Sequence, residues 1–424
     1  MDKNKRLTVW LPVIIAASIA LGIFIGNHYL SISQGKKRSY SSGNKINAIL
    51  DIIDEQYVDT VSMSKLVEST IPKIFSELDP HSVYIPAEDA SVVNEELEGS
   101  FSGIGVSFNM QTDTILVISV ISGGPAEKAG LLPIDRIISI NDSIFSGKKK
   151  NQGEIMKTLR GAKNSTVKLG VQRGNSPELL YFDVTRGDVP VNSVDVSYEA
   201  AKGIGYIKVS KFARNTYNEF ITAIAKLKQA GCTSFVIDLR GNTGGYMDAA
   251  INMINEFMPE GRLIVYTEGK SFPRSDVYAN GTGTCKDAPI VVLTDEISAS
   301  ASEIFSGAIQ DNDRGTIIGR RTYGKGLVQT QMSLSDGSEM RLTIARYYTP
   351  SGRCIQKKYE MGNTDAYDQD IYNRYMHGEF DSADSIKMDD SLKYQTVGGR
   401  TVYGGGGIMP DIFIPRDTRG VTSY

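Results

Sequence analysis

Ser298-Ala299-Ser300-Ala301-Ser302-Glu303 follows the apolar run Ile290 to Leu293 and opens a helical pattern. A serine at a strand-to-helix junction presents its hydroxyl beside backbone N–H groups at the positive end of the helix dipole. Such donors stabilise the oxyanion of acyl transfer. Ser300 with Glu303 three residues on is also a capping box, and by itself the run favours a plain helix cap. The second element is Tyr323-Gly324-Lys325-Gly326, a lysine between two glycines in the turn between strands expected at 316–319 and 327–334. A lysine stripped of water loses the hydration of its ammonium, so its pKa falls and it can act as a base. The plain alternative is a surface lysine on a glycine turn. Gly319 to Lys325 also fits the Gly-x-x-x-x-Gly-Lys spacing of a phosphate loop. Gly326, however, stands where Ser or Thr should hold magnesium, and a strand follows where a helix is needed, so a nucleotide site is rejected.

Other nucleophile systems have little material. Three histidines occur, His28, His81 and His377. His28 abuts an apolar segment, so a Ser–His–Asp triad would have to use His377 or His81, and His81 follows a proline turn that favours a structural role. Ser62-Met63-Ser64-Lys65 matches a Ser-x-x-Lys pattern, but no Lys-Thr-Gly accompanies it and Ser64 belongs to an amphipathic helix. Cys232, Cys285 and Cys354 are too widely spaced for a metal site, and their odd number argues against a disulfide framework. Neither a metal nor a cofactor is expected.

A peptide-binding element is also legible. Phe101-Ser102-Gly103-Ile104-Gly105-Val106 opens a β-rich segment. Glycines at 103 and 105 let backbone N–H groups face an anion while a strand edge follows. That arrangement suits a terminal carboxylate with its chain added as a strand. Alone, the Gly-x-Gly is equally a tight hairpin. Gly123-Gly124-Pro125-Ala126, Ala129-Gly130-Leu131, Asp135-Arg136-Ile137 and Leu159-Arg160-Gly161 supply the context.

The elements that must position these residues fall into blocks. Leu7 to Ile25 is a nearly continuous apolar run behind Lys3, Lys5 and Arg6. Nineteen helical residues reach about 28 Å, enough for a bilayer core, and no small-x-small cleavage site follows. An uncleaved single-pass anchor is expected, although Lys36, Lys37 and Arg38 blunt the charge argument for orientation. Residues 44–98 keep helical spacing, as in Ile46, Ile49, Leu50 and Ile53. Residues 101–185 turn to alternating β-runs, interrupted by a helix at Gln152 to Arg160. From Gly203 strands and helices alternate, which predicts a largely parallel sheet covered by helices. Residues 357–406 are polar and rich in tyrosine and glycine, with no clear element. At 424 residues the chain needs two or three domains. Forty-six basic against forty-nine acidic residues make a field for nucleic acid absent.

The segment from 99 to 187 resembles a PDZ domain of bacterial protease type, with Ile134 standing where that family usually has the glycine of a Gly-Asp-x-Ile turn. Asp238-Leu239-Arg240-Gly241-Asn242-Thr243-Gly244-Gly245, the Ser-Ala-Ser-Ala-Ser-Glu run and Gly324-Lys325-Gly326-Leu327-Val328-Gln329 resemble the carboxyl-terminal processing (tail-specific) peptidases. The resemblance extends from about 44 to 416, taking in Leu78-Asp79-Pro80-His81-Ser82 and Gly406 to Asp411. It implies an α+β chain: transmembrane anchor and tail (1–30), linker and helical region (31–98), PDZ (99–187) and a crotonase-like catalytic domain (188–424) with a polar insertion at 357–403. It implies Ser300 as nucleophile, Lys325 as base and Gln329 orienting the lysine. The Ala301 N–H and one from the Gly244-Gly245 turn, Gly244 by preference, would form the oxyanion hole. Gly103, Ile104, Gly105 and Val106 would seat protein tails. A membrane location with the catalytic part facing the periplasm or exterior, and homo-oligomerisation through the helical region, complete the expectation. The alternative from another class is a non-catalytic PDZ scaffold on a dead peptidase fold.

Overall fold

The computed structural model describes residues 16–23, 42–111, 114–144, 152–176 and 178–417. The chain divides into two compact units, 1–70 and 71–424. In the first, residues 16–23 are helical and Ser42–Gln56 forms a helix. Ile46, Ile49 and Ile52 on that helix are about half exposed. The expected anchor, Leu7 to Ile25, lies for the most part outside the described residues, and among those described no helix is long and apolar enough to cross a membrane. The helix Met63–Ser76 runs over the unit boundary.

The second unit holds three principal sheets. A six-stranded sheet runs in the order Val194–Ala201, Ile204–Val209, Ser234–Asp238, Ile290–Thr294, Thr316–Gly319 and Ile412–Phe413, parallel throughout except for its first, antiparallel pair. The central strands are short continuous apolar runs, as buried parallel strands are. Helices Thr216–Gln229, Met247–Asn255 and Ala301–Asp311 cover it. Phe257 is fully buried and meets Phe220, Phe235 and Phe305 edge-on, with centroids 6.2, 6.3 and 6.4 Å away. Burying each such ring contributes roughly 2–3 kcal/mol, so this quartet fixes the helices to the sheet.

A second, five-stranded sheet carries Leu327–Ser333 antiparallel to Glu339–Tyr348, which also pairs with Val83–Ile85 and Leu263–Glu268. The turn expectation for Lys325 therefore needs correcting. Thr316–Gly319 and Leu327–Ser333 are not neighbours in one sheet; the stretch 320–326 crosses from the parallel sheet to the antiparallel one. Alternation alone does not tell which sheet a strand joins.

The third sheet, from Val106–Gln111 through to Leu180–Thr185, packs on the helix Gln152–Leu159 around Ile104, Ile137, Ile155 and Val167. Its entry and exit strands, Ser100–Gly103 and Gly187–Pro190, pair antiparallel and close the module at its base. Ile134 keeps the turn in its left-handed shape at φ 72° without a glycine. Its N–H bonds to the Val117 carbonyl at 2.8 Å, and buried Asp135 beside it holds Arg173 at 2.7 Å.

Residues 357–403 are not structureless, a further correction. They form the helix Thr364–Met376, two 3-10 turns and the hairpin of Lys393–Gln395 with Thr401–Tyr403. The helix buries only Tyr367 and Arg374, so it has no apolar stripe for periodicity to reveal. Asn363 caps it by accepting from the Ala366 N–H at 3.2 Å.

Candidate active site

Ser300 stands at the N-cap of Ala301–Asp311, a helix whose eleven residues are all buried. Its backbone is at φ 54°, ψ −113°, in a region that costs a non-glycine residue on the order of 1–3 kcal/mol. Such a conformation persists only where its surroundings over-determine it, and Glu303 is the principal support. Glu303 is fully buried, and its Oε2 accepts from the Ser300 N–H at 2.8 Å. The same oxygen accepts from the Lys325 N–H at 2.8 Å, while Oε1 accepts from the Gly324 N–H at 2.7 Å and from the Thr322 hydroxyl. Burial pushes this carboxyl up to about 7 against the pull of those donors. On the opposite side the buried Tyr347 hydroxyl donates to the carbonyls of Ser300, at 3.0 Å, and of Lys325. The capping-box reading of Ser300 and Glu303 thus holds for the returning bond, but Glu303 reaches further: it joins the serine and lysine segments.

Lys325 is largely buried, and Nζ donates to Gln329 Oε1 at 3.1 Å. Burial first, then the charge of Arg341, lowers its pKa, while Glu303 and Asp79 pull it up. The surface-lysine alternative therefore fails. Gln329 in turn donates from Nε2 to the His81 carbonyl. Asp79, whose carboxylate binds the N–H groups of His81 and Ser82 and the Thr343 hydroxyl, fixes that turn against the strand Glu339–Tyr348.

Asn242 ties the Gly-rich turn to the Ser300 segment. Its carbonyl accepts from the Ala299 N–H at 3.0 Å and the Ser302 hydroxyl at 2.9 Å, and its Nδ2 donates to the Val209 carbonyl at 3.0 Å. Gly244 packs so closely that a Cβ there would lie 2.8 Å from Ser300 Cβ. The preference for Gly244 as oxyanion donor does not match this arrangement. Its N–H donates to Asn242 Oδ1 at 2.8 Å, so it is engaged within the turn.

Ser300, Ala301, Gly244, Gly245, Lys325 and Gln329 line one cleft of about 870 Å³. Val92, Val93 and Leu97 of the helix Ala87–Glu98 form part of its wall. That helix also bonds Arg160, beyond the end of the helix Gln152–Leu159, through Glu95 at 2.7 Å. Among the described residues no cluster of His, Cys, Asp or Glu could hold a metal. In the β-rich module, Ile104 is buried, Gly105 turns at φ 77°, and Val106 begins an edge strand that, among the described residues, pairs only with Thr114–Val120. An extended peptide can therefore add there.

Sequence reasoning missed Tyr347, Asn242 and Asp79 as members of this assembly and gave Glu303 a local role only. Their contacts cross 20 to 260 positions of chain, roughly, with no spacing rule to expose them.

Comparison with known proteins gives the class of protein to which this cleft belongs. The model of peptidase family S41 matches residues 203–365, and that of the PDZ domain matches 102–195. The chain is 35% identical over 318 residues to the carboxy-terminal processing protease CtpB of Bacillus subtilis (strain 168), over 74% of this chain and 66%, about two thirds, of that protein. It is 33% identical over 365 residues to a "Probable CtpA-like serine protease" of Staphylococcus aureus (strain N315), over 84% of this chain and 72% of that one. The chain belongs to the S41 family of serine-type peptidases, in its PDZ-bearing, carboxy-terminal processing branch. A solved structure named photosystem II D1 C-terminal processing protease is 24% identical and covers 89% of this chain and 94% of its own, with a TM-score of 0.43.

Proposed function

We propose that this chain is an endopeptidase that takes the C-terminal tails of exported proteins into its PDZ module and cleaves them with a Ser300–Lys325 dyad. The observation that carries the reading is the burial of Lys325 in the same cleft as Ser300, its amine held by Gln329. Neutral Lys325 takes the Ser300 hydroxyl proton as Oγ attacks the scissile carbonyl. The oxyanion forms at the Ala301 N–H and, with Gly244 engaged, at that of Gly245. The lysine then gives its proton to the departing amine, leaving an acyl ester on Ser300. Water then attacks the ester while losing a proton to Lys325, and the lysine passes that proton to Ser300 Oγ as the acid product leaves. Gly103, Ile104, Gly105 and Val106 would seat the tail's carboxylate and start of an added strand, beside Gln152–Leu159.

The apolar run Leu7 to Ile25 would anchor the enzyme in the cytoplasmic membrane with its catalytic part outside the cytoplasm, and the exposed isoleucines of Ser42–Gln56 would serve a second copy. The test is mass spectrometry of exported-protein termini in cells carrying native enzyme or Ser300→Ala. Trimmed tails should vanish with the variant. Unchanged termini would refute the processing role, and enzyme recovered from the cytosol would refute the anchor.

A further inference from the structure

Both neighbours of Lys325 are held at the start of the polar insertion, by Lys357 and the adjoining Gln356, as well as by Glu303 and Tyr347 of the core. The Gly324 carbonyl accepts from the Lys357 N–H at 2.9 Å, and the Gly326 N–H donates to Gln356 Oε1 at 2.7 Å. The preceding stretch is gripped by the insertion helix Thr364–Met376. Buried Arg374 donates through separate nitrogens to the carbonyls of Arg321, at 2.8 Å, and Thr322, at 3.0 Å. Glu379 holds Arg374 at 2.8 Å and Arg321 as well. A third route ends on the lysine's own side chain. The Tyr367 hydroxyl lies 2.9 Å from His81 Nε2, the His81 carbonyl accepts from Gln329 Nε2, and Gln329 Oε1 accepts from Lys325 Nζ. Lys357, with its ammonium 4.0 Å from the ring centroids of both Tyr323 and Tyr367, and 3.2 Å from Asp370, locks the helix to this side of the cleft.

We propose that Tyr367 and Arg374, on a helix that touches neither Ser300 nor its turn in any of these bonds, are positioning residues that set the place of the Lys325 amine. The inference rests on Lys325 being the base. Tyr367 acts on the side chain through His81 and Gln329; Arg374 acts on the backbone that carries the lysine into the cleft. The carbonyl pair that Arg374 binds suits its planar fork, and a lysine at that position reaches one carbonyl at a time. Without these bonds Lys325 has a wider choice of rotamer and more water around it.

Charged and titratable groups facing Lys325 are Arg341, Glu303, Asp79 and His81. Those around Tyr367 are His81, Lys357, Tyr323, Tyr359, Asp370 and Glu303. Tyr367→Phe changes none of these charges, so a displaced pH profile in that variant reports the lysine's surroundings. Released into water, Lys325 is easier to protonate, and the pH at which activity appears should rise.

The experiment measures kcat and KM on a short peptide without a PDZ tail, from pH 6 to 10, for native enzyme, Tyr367→Phe, Arg374→Lys and Lys325→Ala, below the melting temperature of each. The expected result is a fall in kcat of about tenfold or more for Tyr367→Phe and Arg374→Lys, with KM within about twofold and the acid limb of kcat at higher pH. Native kcat and an unmoved limb in Tyr367→Phe would overturn the inference. Should that variant not fold, Arg374→Lys decides on the same readings. Turnover surviving in Lys325→Ala overturns the base assignment itself. An inactive Lys325→Ala beside a native-like Tyr367→Phe overturns only the positioning role.

Discussion

Glu303 Oε2 accepts from the Lys325 N–H at 2.8 Å while accepting from the Ser300 N–H at the same distance. One buried carboxylate oxygen therefore sets the separation of the Ser300 and Lys325 backbones, which carry the proposed nucleophile and base. Tyr347 binds the carbonyls of the same two residues from the other side. Two segments 25 positions apart in sequence are thereby held as one rigid unit, which is what proximity catalysis requires.

Glu303→Gln should test that unit. The amide can still accept at Oε1, but its NH2 faces N–H donors it cannot satisfy. The expected loss is about 100-fold or more in kcat with a small change in KM, read by peptide hydrolysis. Near-native kcat would show that the bridge is dispensable.

Activity should rise with pH as Lys325 loses its proton. The folded enzyme holds this amine below its ordinary value, chiefly by burial and then through Arg341. Arg341→Gln removes a cation that disfavours the ammonium, so the lysine should hold its proton to higher pH and the acid limb of kcat should move to higher pH. A shift to lower pH would contradict the electrostatic account. Chelators should leave the rate unchanged.

The edge strand that begins at Val106 should read a free tail. Amidating a substrate's C-terminus removes the anion and one strand anchor, so binding should weaken, as measured by titration against the whole enzyme. Equal affinity for free and amidated tails would remove the tail-recognition proposal and leave the peptidase.

Much of this arrangement was legible in the chain. The strands Ser234–Asp238 and Ile290–Thr294 and the helix after Ser300 are strongly patterned, and Ser300, Lys325 and Gln329 fall in one cleft as expected. What was not legible lies in long-range hydrogen bonding. Gly244 looks like a free donor in sequence, and only the fold turns Asn242 Oδ1 onto its N–H. Thr364–Met376 escaped notice because it docks by Tyr367 and Arg374, not by an apolar face. His81 read as part of a turn, and its carbonyl proves to hold Gln329.

The central claim, that Lys325 is the base for Ser300, is tested most directly by the pH dependence of kcat/KM for Lys325→Ala and Lys325→Arg beside the native enzyme. Guanidinium stays protonated over the whole range, and alanine has no base. The account predicts a loss of about 1,000-fold or more for both variants at every pH from 6 to 10, with melting temperatures close to native. Near-native turnover by either variant at any pH in that range would contradict it.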